Sequence, residues 1–172
     1  MERIEFLNKI ESKGNDKIRE LLNYANYLRQ ADPDESIIIA KEALKLSEET
    51  KYKAGITGAI IHIAYANLYK SNFDDVEIWA NELIKIGVKD KIPNVIGTAY
   101  NMKARIAHKL DDPAKAISLL LKALDYYVEA DNKIDLMTCY NNLGMVHLRL
   151  NEKEEAELYL KLALQMAEKT NS

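Results

Sequence analysis

The side chains that most often bind metals or act as nucleophiles are few and scattered in this chain. The three histidines, His62, His108 and His147, lie far apart, and none has a local partner at metal-ligand spacing. The single cysteine, Cys139, directly precedes Tyr140 and suits packing better than nucleophilic attack. We therefore expect no metal ion, no cofactor, and packing roles for Cys139 and His147.

Two groups of neighbouring carboxylates could in principle perform acid–base chemistry. They are Asp34-Glu35 and the acids between Glu152 and Glu157. Both groups stand at expected helix starts, where capping and the helix dipole already account for acidic residues. The chain also has no phosphate-cradling Gly loop, no GxSxG turn and no HExxH helix. The sequence therefore predicts a protein that is not an enzyme.

Composition excludes several other classes of function. The chain has 172 residues, of which 48% are hydrophobic and 30% charged, with only six Gly and three Pro, which is typical of an ordered helical protein. A net charge of −3 argues against direct nucleic-acid binding. One cysteine fits a reducing compartment, and no apolar run is long enough for a signal peptide or a membrane span. We expect a cytoplasmic protein.

One pattern of residue types occurs three times at a fixed step of 40 residues. The middle copy is Tyr100, Ala104, Ala107, Ala116, Leu120 and Ala123, the next is Tyr140, Gly144, His147, Ala156, Leu160 and Ala163, and the preceding one is Ile60, Ala64, Asn67, Val76, Ala80 and Leu83. A fixed period of this length indicates stacked structural repeats. The expected output of such a scaffold is binding.

Helical spacing within each copy predicts a hairpin of two α-helices. Residues at three- and four-residue intervals form one apolar stripe before a short turn and a second stripe after it. Asp32-Pro33 and Asp112-Pro113 each place an N-cap carboxylate before a proline at the first helical position. Small residues such as Gly144 and Ala156 should let the paired helices approach closely. The expected helices are 2–12, 15–30, 33–50, 53–70, 73–86, 92–110, 113–130, 133–150 and 152–169.

These residues resemble the tetratricopeptide repeat (TPR). Leu143-Gly144 followed by Ala156, Leu160 and Ala163 matches much of that family's signature, although the terminal Pro is missing and the step exceeds the usual 34 residues. The resemblance implies an all-α fold, a right-handed superhelical solenoid of antiparallel helix hairpins, with about four repeats. The boundaries we expect within a single TPR domain, 1–172, are a capping helix at 2–14 and repeats at 15–50, 52–90, 91–130 and 131–170.

A second resemblance concerns the first repeat. Residues 21–46, with Asp32-Pro33 and then Ala-Lys-Glu-Ala-Leu at 40–44, are similar to the opening repeat of bacterial sensor proteins. In those proteins a TPR array precedes a kinase, cyclase or DNA-binding output module. This resemblance implies a regulatory part of a signalling protein. A small-peptide receptor of the quorum-sensing type, which also has long TPR arrays, remains an alternative.

In TPR arrays the first helix of each hairpin lines a concave groove, so the resemblance also implies which residues meet a ligand. The candidate groove residues are Asn23, Asn26, His62, Tyr65, Tyr69, Asn101, Arg105, Lys109, Asn141, Asn142 and Arg149. None is acidic and three are Arg or Lys, whereas the second helices carry many acids. Asn suits the backbone of an extended peptide, and Arg can grip a carboxylate with two parallel bonds. We therefore expect an acidic peptide segment or a C-terminal carboxylate as the ligand.

Two alternatives concern this surface and the end of the chain. Burial of the inner helices would deplete them of acids without any ligand, and cations near helix C-termini are favoured by the dipole. The last helix, 152–169, has a second apolar stripe of Tyr159, Leu162 and Met166. Because terminal repeats normally present a polar face, this stripe predicts either a downstream module or a homodimer through that helix.

Overall fold

The computed structural model describes residues 13–170, and within that range it contains eight α-helices and no β-strand. The helices are α1 (Gly14–Leu28), α2 (Pro33–Glu49), α3 (Lys53–Tyr69), α4 (Phe73–Asp90), α5 (Pro93–Lys109), α6 (Pro113–Glu129), α7 (Lys133–Arg149) and α8 (Lys153–Thr170). The predicted all-α repeat fold is confirmed, and the eight helices lie where the sequence placed them to within a few residues. The predicted helix 2–12 lies outside the described residues.

Six of the seven turns between helices are the same local structure. Each contains one residue with a left-handed backbone, φ between 50° and 62°, and these residues are spaced twenty apart: Lys51, Ser71, Lys91, Asp111, Asp131 and Asn151. The N–H of the following residue donates to the carbonyl five residues earlier, at 2.8–3.1 Å. This is the Schellman motif, which satisfies carbonyls left open at a helix end. A twenty-residue structural step therefore underlies the forty-residue sequence repeat.

The N-caps predicted from sequence are confirmed. The Asp32 carboxylate accepts the N–H of Glu35 at 3.0 Å, and the Asp112 carboxylate accepts that of Lys115 at 3.0 Å. Asn132 caps α7 in the same way by accepting the N–H of Asp135 at 3.1 Å. These contacts satisfy N–H groups that have no partner inside a helix, and so help to define where each helix begins.

Contacts divide the chain into two compact units, residues 1–79 and 80–172. In the first unit, α1, α2 and α3 bury a core made of Ile18, Leu21, Ala25, Ile39, Ala40, Ala43, Ala59 and Ile63, with Trp79 packed against it. The buried Ser36 hydroxyl donates to the Ala25 carbonyl at 2.7 Å and so joins α2 to α1. Two hydrophobic stripes at helical spacing thus account for this packing.

In the second unit, α5 to α8 pack as two successive hairpins. The core contains Ala104, Ala107, Ala116, Leu120, Ala123, Tyr127, Leu136, Cys139, Leu143 and Val146. A Cβ built on Gly144 would lie 2.6 Å from Leu160 Cγ and 3.3 Å from the Ala156 carbonyl oxygen. The prediction that Gly144 allows close helix approach is therefore confirmed. That all four repeats form one domain stays a prediction.

Candidate functional site

A cleft of about 240 Å³ lies between α5 and α7, the first helices of the two hairpins in the second unit. Its lining residues are Ala104, Arg105, His108, Lys109, Leu120, Asn142, Met145 and Val146. On α5 the polar residues His108 and Lys109 follow Arg105 by three and four residues, which places them along one face of that helix. The floor is apolar and the rim is polar, so the cleft can hold a side chain while the rim binds charged or amide groups.

Asn142 is held at the edge of this cleft by a second asparagine. Its amide nitrogen donates to the Asn101 Oδ1 at 2.9 Å. Asn101 is only 2% exposed, so it cannot itself contact a ligand. An unpartnered buried amide would be costly, and this bond satisfies one atom of each side chain. Within the candidate site, Asn101 is therefore a positioning residue and Asn142 the one with access to the cleft.

The cationic character of the cleft comes from Arg105, which is half-buried, and Lys109, which is exposed. His108 lies between them in sequence, and its Nδ1 atom is buried with no hydrogen-bond partner. Burial, followed by the charge of Arg149, lowers the pKa of His108 below its usual value of 6.5. The imidazole is consequently neutral at pH 7 and retains an unused hydrogen-bonding nitrogen.

Arg149 lies at the end of α7 and is already bound to neighbouring groups. Its Nη1 donates to the His108 carbonyl at 2.9 Å, and its Nη2 is 2.8 Å from the Asp111 carboxylate. The sequence predicts Arg149 as a groove cation, but it does not predict the ion pair with this carboxylate. Asp111 is the left-handed residue of the turn after α5, which brings it towards Arg149. Arg149 therefore links the two hairpins as well as carrying charge.

A second carboxylate, Asp135, lies in the first turn of α7, near Asn94 in the first turn of α5. It accepts a hydrogen bond from Asn132 at 2.8 Å, and Asn132 also donates to Asn94 at 2.6 Å. Burial raises the pKa of Asp135, while the hydrogen bonds from Asn94 and Asn132 oppose that rise. Sequence reasoning missed this group, although Asp135 precedes the candidate groove residue Asn142 by seven residues and therefore shares its helix face.

Asn141, although adjacent to Asn142, does not line the same cleft. It is exposed and lines a separate depression with residues of α8, including Leu160, Ala163 and Leu164. Successive residues of a helix point about 100° apart, which separates the two amides. Of the candidate residues in this unit, the structure gathers Arg105, Lys109 and Asn142 around one cleft, with Asn101 behind them.

In the first unit the candidate residues lie on α1 and α3. Asn23 and Asn26 are exposed on α1, and Tyr69 is exposed at the end of α3. The guanidinium of Arg29 sits 5.0 Å from the centre of the Tyr65 ring, a cation–π contact. Burial and then the charge of Arg29 lower the pKa of His62 to about 4, so its ring is neutral at pH 7. The structure thus groups Arg29, His62 and Tyr65.

Cys139 and His147, for which the sequence predicts packing roles, are both buried and hydrogen-bonded inside the second unit. Cys139 is fully buried, its thiol donates to the Leu120 carbonyl at 3.2 Å, and burial raises its pKa to about 12. The Nδ1 of His147 is 2.6 Å from the Glu152 carboxylate, and its ring stacks on Tyr159. Across residues 13–170 no three potential ligands cluster in a way that could hold a metal ion. Within the same range, every helix is too short or too polar to cross a bilayer.

Comparisons with known proteins agree with this repeat architecture. Residues 95–169 match the tetratricopeptide repeat family model. Among solved structures, the apo form of RapI superposes with a TM-score of 0.71 at 17% identity, covering 98% of this chain and 61% of RapI. BtubC from P. vanneervenii superposes with a TM-score of 0.68 at 16% identity, covering 98% of this chain and 70% of BtubC.

These similarities concern the fold. This chain spans less than two thirds of the length of RapI, and no curated protein matches it by sequence. The family match covers nearly all of the two hairpins α5 to α8, which contain the cleft and the close helix approach at Gly144. Residues 95–169 therefore match the tetratricopeptide repeat family, and the eight helices of residues 13–170, with six turns of one kind, have a TPR-like helical repeat fold.

Proposed function

We propose that this protein binds an acidic, extended peptide segment in the cleft between α5 and α7. Repeats of the TPR type serve as protein-interaction scaffolds, and their stacked first helices offer a concave surface to a partner. The observation that carries the proposal is that two cationic side chains, Arg105 and Lys109, line the same mainly apolar cleft as the amide of Asn142. Arg149, at the end of α7, remains a proposed further contact for this peptide. The first-unit residues Asn23, Asn26, His62, Tyr65 and Tyr69 remain proposed as a contact surface of that unit by itself, and Asn141 as a contact in the separate depression beside α8.

The size of the cleft favours a segment of a longer ligand over an enclosed small molecule. At about 240 Å³ it is smaller than the roughly 300–1,000 Å³ usual for small-molecule sites. One apolar side chain of a peptide can enter it, with Leu120, Val146 and Met145 around that side chain. A neighbouring carboxylate of the same peptide then lies at the rim, where the positive potential of Arg105 and Lys109 attracts it.

The proposed role of the chain in the cell rests on this proposed binding activity and on the resemblance of residues 21–46 to bacterial sensor proteins. We propose that it is the regulatory, non-catalytic part of a bacterial cytoplasmic signalling protein, with a protein or peptide as its partner. The alternative is a receptor for a short free peptide. That alternative requires tight binding of a short peptide by this chain alone, whereas a scaffold binds a segment within a larger protein.

Charge reversal at the rim tests the proposal. The probes are fluorescein-labelled eight-residue peptides of alternating Glu and Leu, and matching peptides of alternating Lys and Leu, measured by fluorescence anisotropy. The Glu peptide should bind, and Arg105→Glu should weaken it by about 10-fold or more because attraction becomes repulsion. Lys115→Glu, an exposed charge reversal on α6 away from the cleft, is the matched control and should change little.

Two results would contradict the proposal. Equal affinity for the Glu and Lys peptides would remove the charge argument. Equal effects of Arg105→Glu and Lys115→Glu would remove the cleft as the place of binding. Submicromolar affinity for a free octapeptide would favour the receptor alternative over the scaffold.

A further inference from the structure

The packing of α7 onto α5 and α6 shows how one hairpin receives the next. Three side chains of α7 pack in this interface. Leu136 and Leu143 are buried, and the Cys139 thiol donates to the Leu120 carbonyl at 3.2 Å. The fourth contact is polar, from the Asn142 amide to the buried Asn101 at 2.9 Å. A receiving hairpin therefore offers an apolar trough with one asparagine acceptor in it.

The receiving half of this interface recurs 40 residues later, on α7 and α8. The receiving residues Thr98, Asn101, Leu120, Ala123 and Leu124 become Thr138, Asn141, Leu160, Ala163 and Leu164. In the earlier hairpin the first four are buried, whereas in the later hairpin only Ala163 of the five is buried. In the later hairpin Asn141 is exposed, Leu164 is 59% exposed, and the same set lines an open depression of about 390 Å³.

The chemistry of the depression matches that of the filled interface. Its lining is mainly apolar, and its one side-chain amide stands where Asn101 accepts a hydrogen bond in the preceding hairpin. Asn is an indifferent helix former in mid-helix, and on a face of Leu and Ala it is useful only when a partner satisfies it. Because this face repeats the one on which α7 packs, the interface of α7 with α5 and α6 indicates what kind of helix would cover it.

We propose that the face formed by Thr138, Asn141, Leu160, Ala163 and Leu164 docks one helix of a partner TPR-type hairpin in the register of α7. That helix presents apolar side chains at the positions of Leu136, Cys139 and Leu143. At the position of Asn142 it carries a side-chain amide, which donates to the Asn141 Oδ1. This docking face is separate from the peptide cleft and does not depend on it.

A second copy of this chain does not meet these requirements. The complementary face of α7 is already buried inside its own unit. The first helix of a second copy, α1, is the other helix that could dock in this register. The turn between α1 and α2 is one residue shorter than the later turns. With that shift, the repeat pattern places Lys17, Glu20 and Asn23 at the positions of Leu136, Cys139 and Asn142. Two charged residues would then enter an apolar trough, at a large desolvation cost. If two identical faces met, Asn141 of one copy would face Asn141 of the other. Neither face would then receive apolar side chains equivalent to Leu136, Cys139 and Leu143 of α7.

The test uses the full chain and a synthetic helix. The probe is a fluorescein-labelled peptide of residues 132–150, held helical by a hydrocarbon link between positions 141 and 145, both exposed on α7. Saturable binding is expected by anisotropy. Leu164→Lys in the protein should weaken it at least 10-fold, because a charge enters the trough. Leu158→Lys, on the same helix at 56% exposure but outside the depression, is the matched control and should leave it unchanged.

A double-mutant cycle tests the amide contact. Asn141→Ala in the protein and Asn142→Ala in the peptide should each weaken binding about 3- to 10-fold, the range for one buried hydrogen bond. Combined, they should cost little more than either alone. Absence of saturable binding by the helical peptide, or equal effects of Leu164→Lys and Leu158→Lys, would overturn the proposal. So would light scattering that shows a wild-type dimer which Leu164→Lys converts to a monomer.

Discussion

Replacing Gly97 by Ala should destabilise the second unit, although Ala is the better helix former. A Cβ at this position would lie 2.8 Å from Tyr127 Cε1, 2.9 Å from its Cδ1 and 3.2 Å from the Ala123 carbonyl oxygen. Tyr127 is 1% exposed and its ring is enclosed by the core, so it has no space into which to move. The backbone of α6 would have to shift away from α5 instead.

The magnitude follows from two opposing contributions. Gly to Ala inside a helix gains about 1 kcal/mol, and overpacking a well-packed core costs about 1–3 kcal/mol. Gly97→Ala should therefore lower the free energy of unfolding by up to about 2 kcal/mol, since the rigid ring and a backbone carbonyl both oppose the added methyl. Two other helical glycines provide the comparison.

Gly144→Ala should destabilise less than Gly97→Ala, and Gly58→Ala should stabilise. At Gly144 the added Cβ meets the Ala156 carbonyl oxygen at 3.3 Å and Leu160, but Leu160 is only partly buried and can move partly away, unlike the enclosed ring of Tyr127. At Gly58 it meets only a terminal methyl, Leu22 Cδ1 at 3.0 Å, so up to about 1 kcal/mol of helix propensity is retained. Urea unfolding followed by circular dichroism measures all three variants. A Gly97→Ala protein at least as stable as Gly58→Ala would refute the packing argument.

Three further predictions concern single residues. Cys139 should resist thiol reagents at pH 8 in the folded protein and react on unfolding. Its pKa is about 12 in the folded protein and near 9 in the unfolded chain, so its contribution to stability is lost as pH rises from 9 to 12. His62 should titrate near pH 4 by NMR, against 6.5 when unfolded, so its contribution is lost as pH falls from 6.5 to 4; a measured value near 6.5 would mean that the ring is not buried beside Arg29. Lys51→Gly should raise the free energy of unfolding by about 0.5–1 kcal/mol, because relief of the strain of a left-handed backbone exceeds the conformational entropy that Gly adds to the unfolded chain. Asn151→Gly should change the free energy of unfolding little, because Asn tolerates that conformation. Equal effects of the two glycine substitutions in chemical denaturation would contradict that reasoning.

The helices and their pairing could be predicted from sequence because the interactions that define them are local. Asp32 and Asp112 cap helices through contacts only three residues away, and small residues at helical spacing mark the faces that meet. The six left-handed turn residues were not predicted. None of them is glycine, so the usual signal for that conformation is missing. The twenty-residue step became visible only in the backbone.

The candidate site was predictable only in part, since a residue's place on a helix does not say what covers it. The sequence alone determined that Asn101 and Asn141 occupy the same position in successive repeats. Only the tertiary structure decided that α7 buries Asn101 against Asn142, while Asn141 stays open on the next face. It also brought Asp111 to Arg149. Helical periodicity is a property of neighbouring residues, whereas burial and ion pairing depend on the helix that packs alongside, about forty residues away.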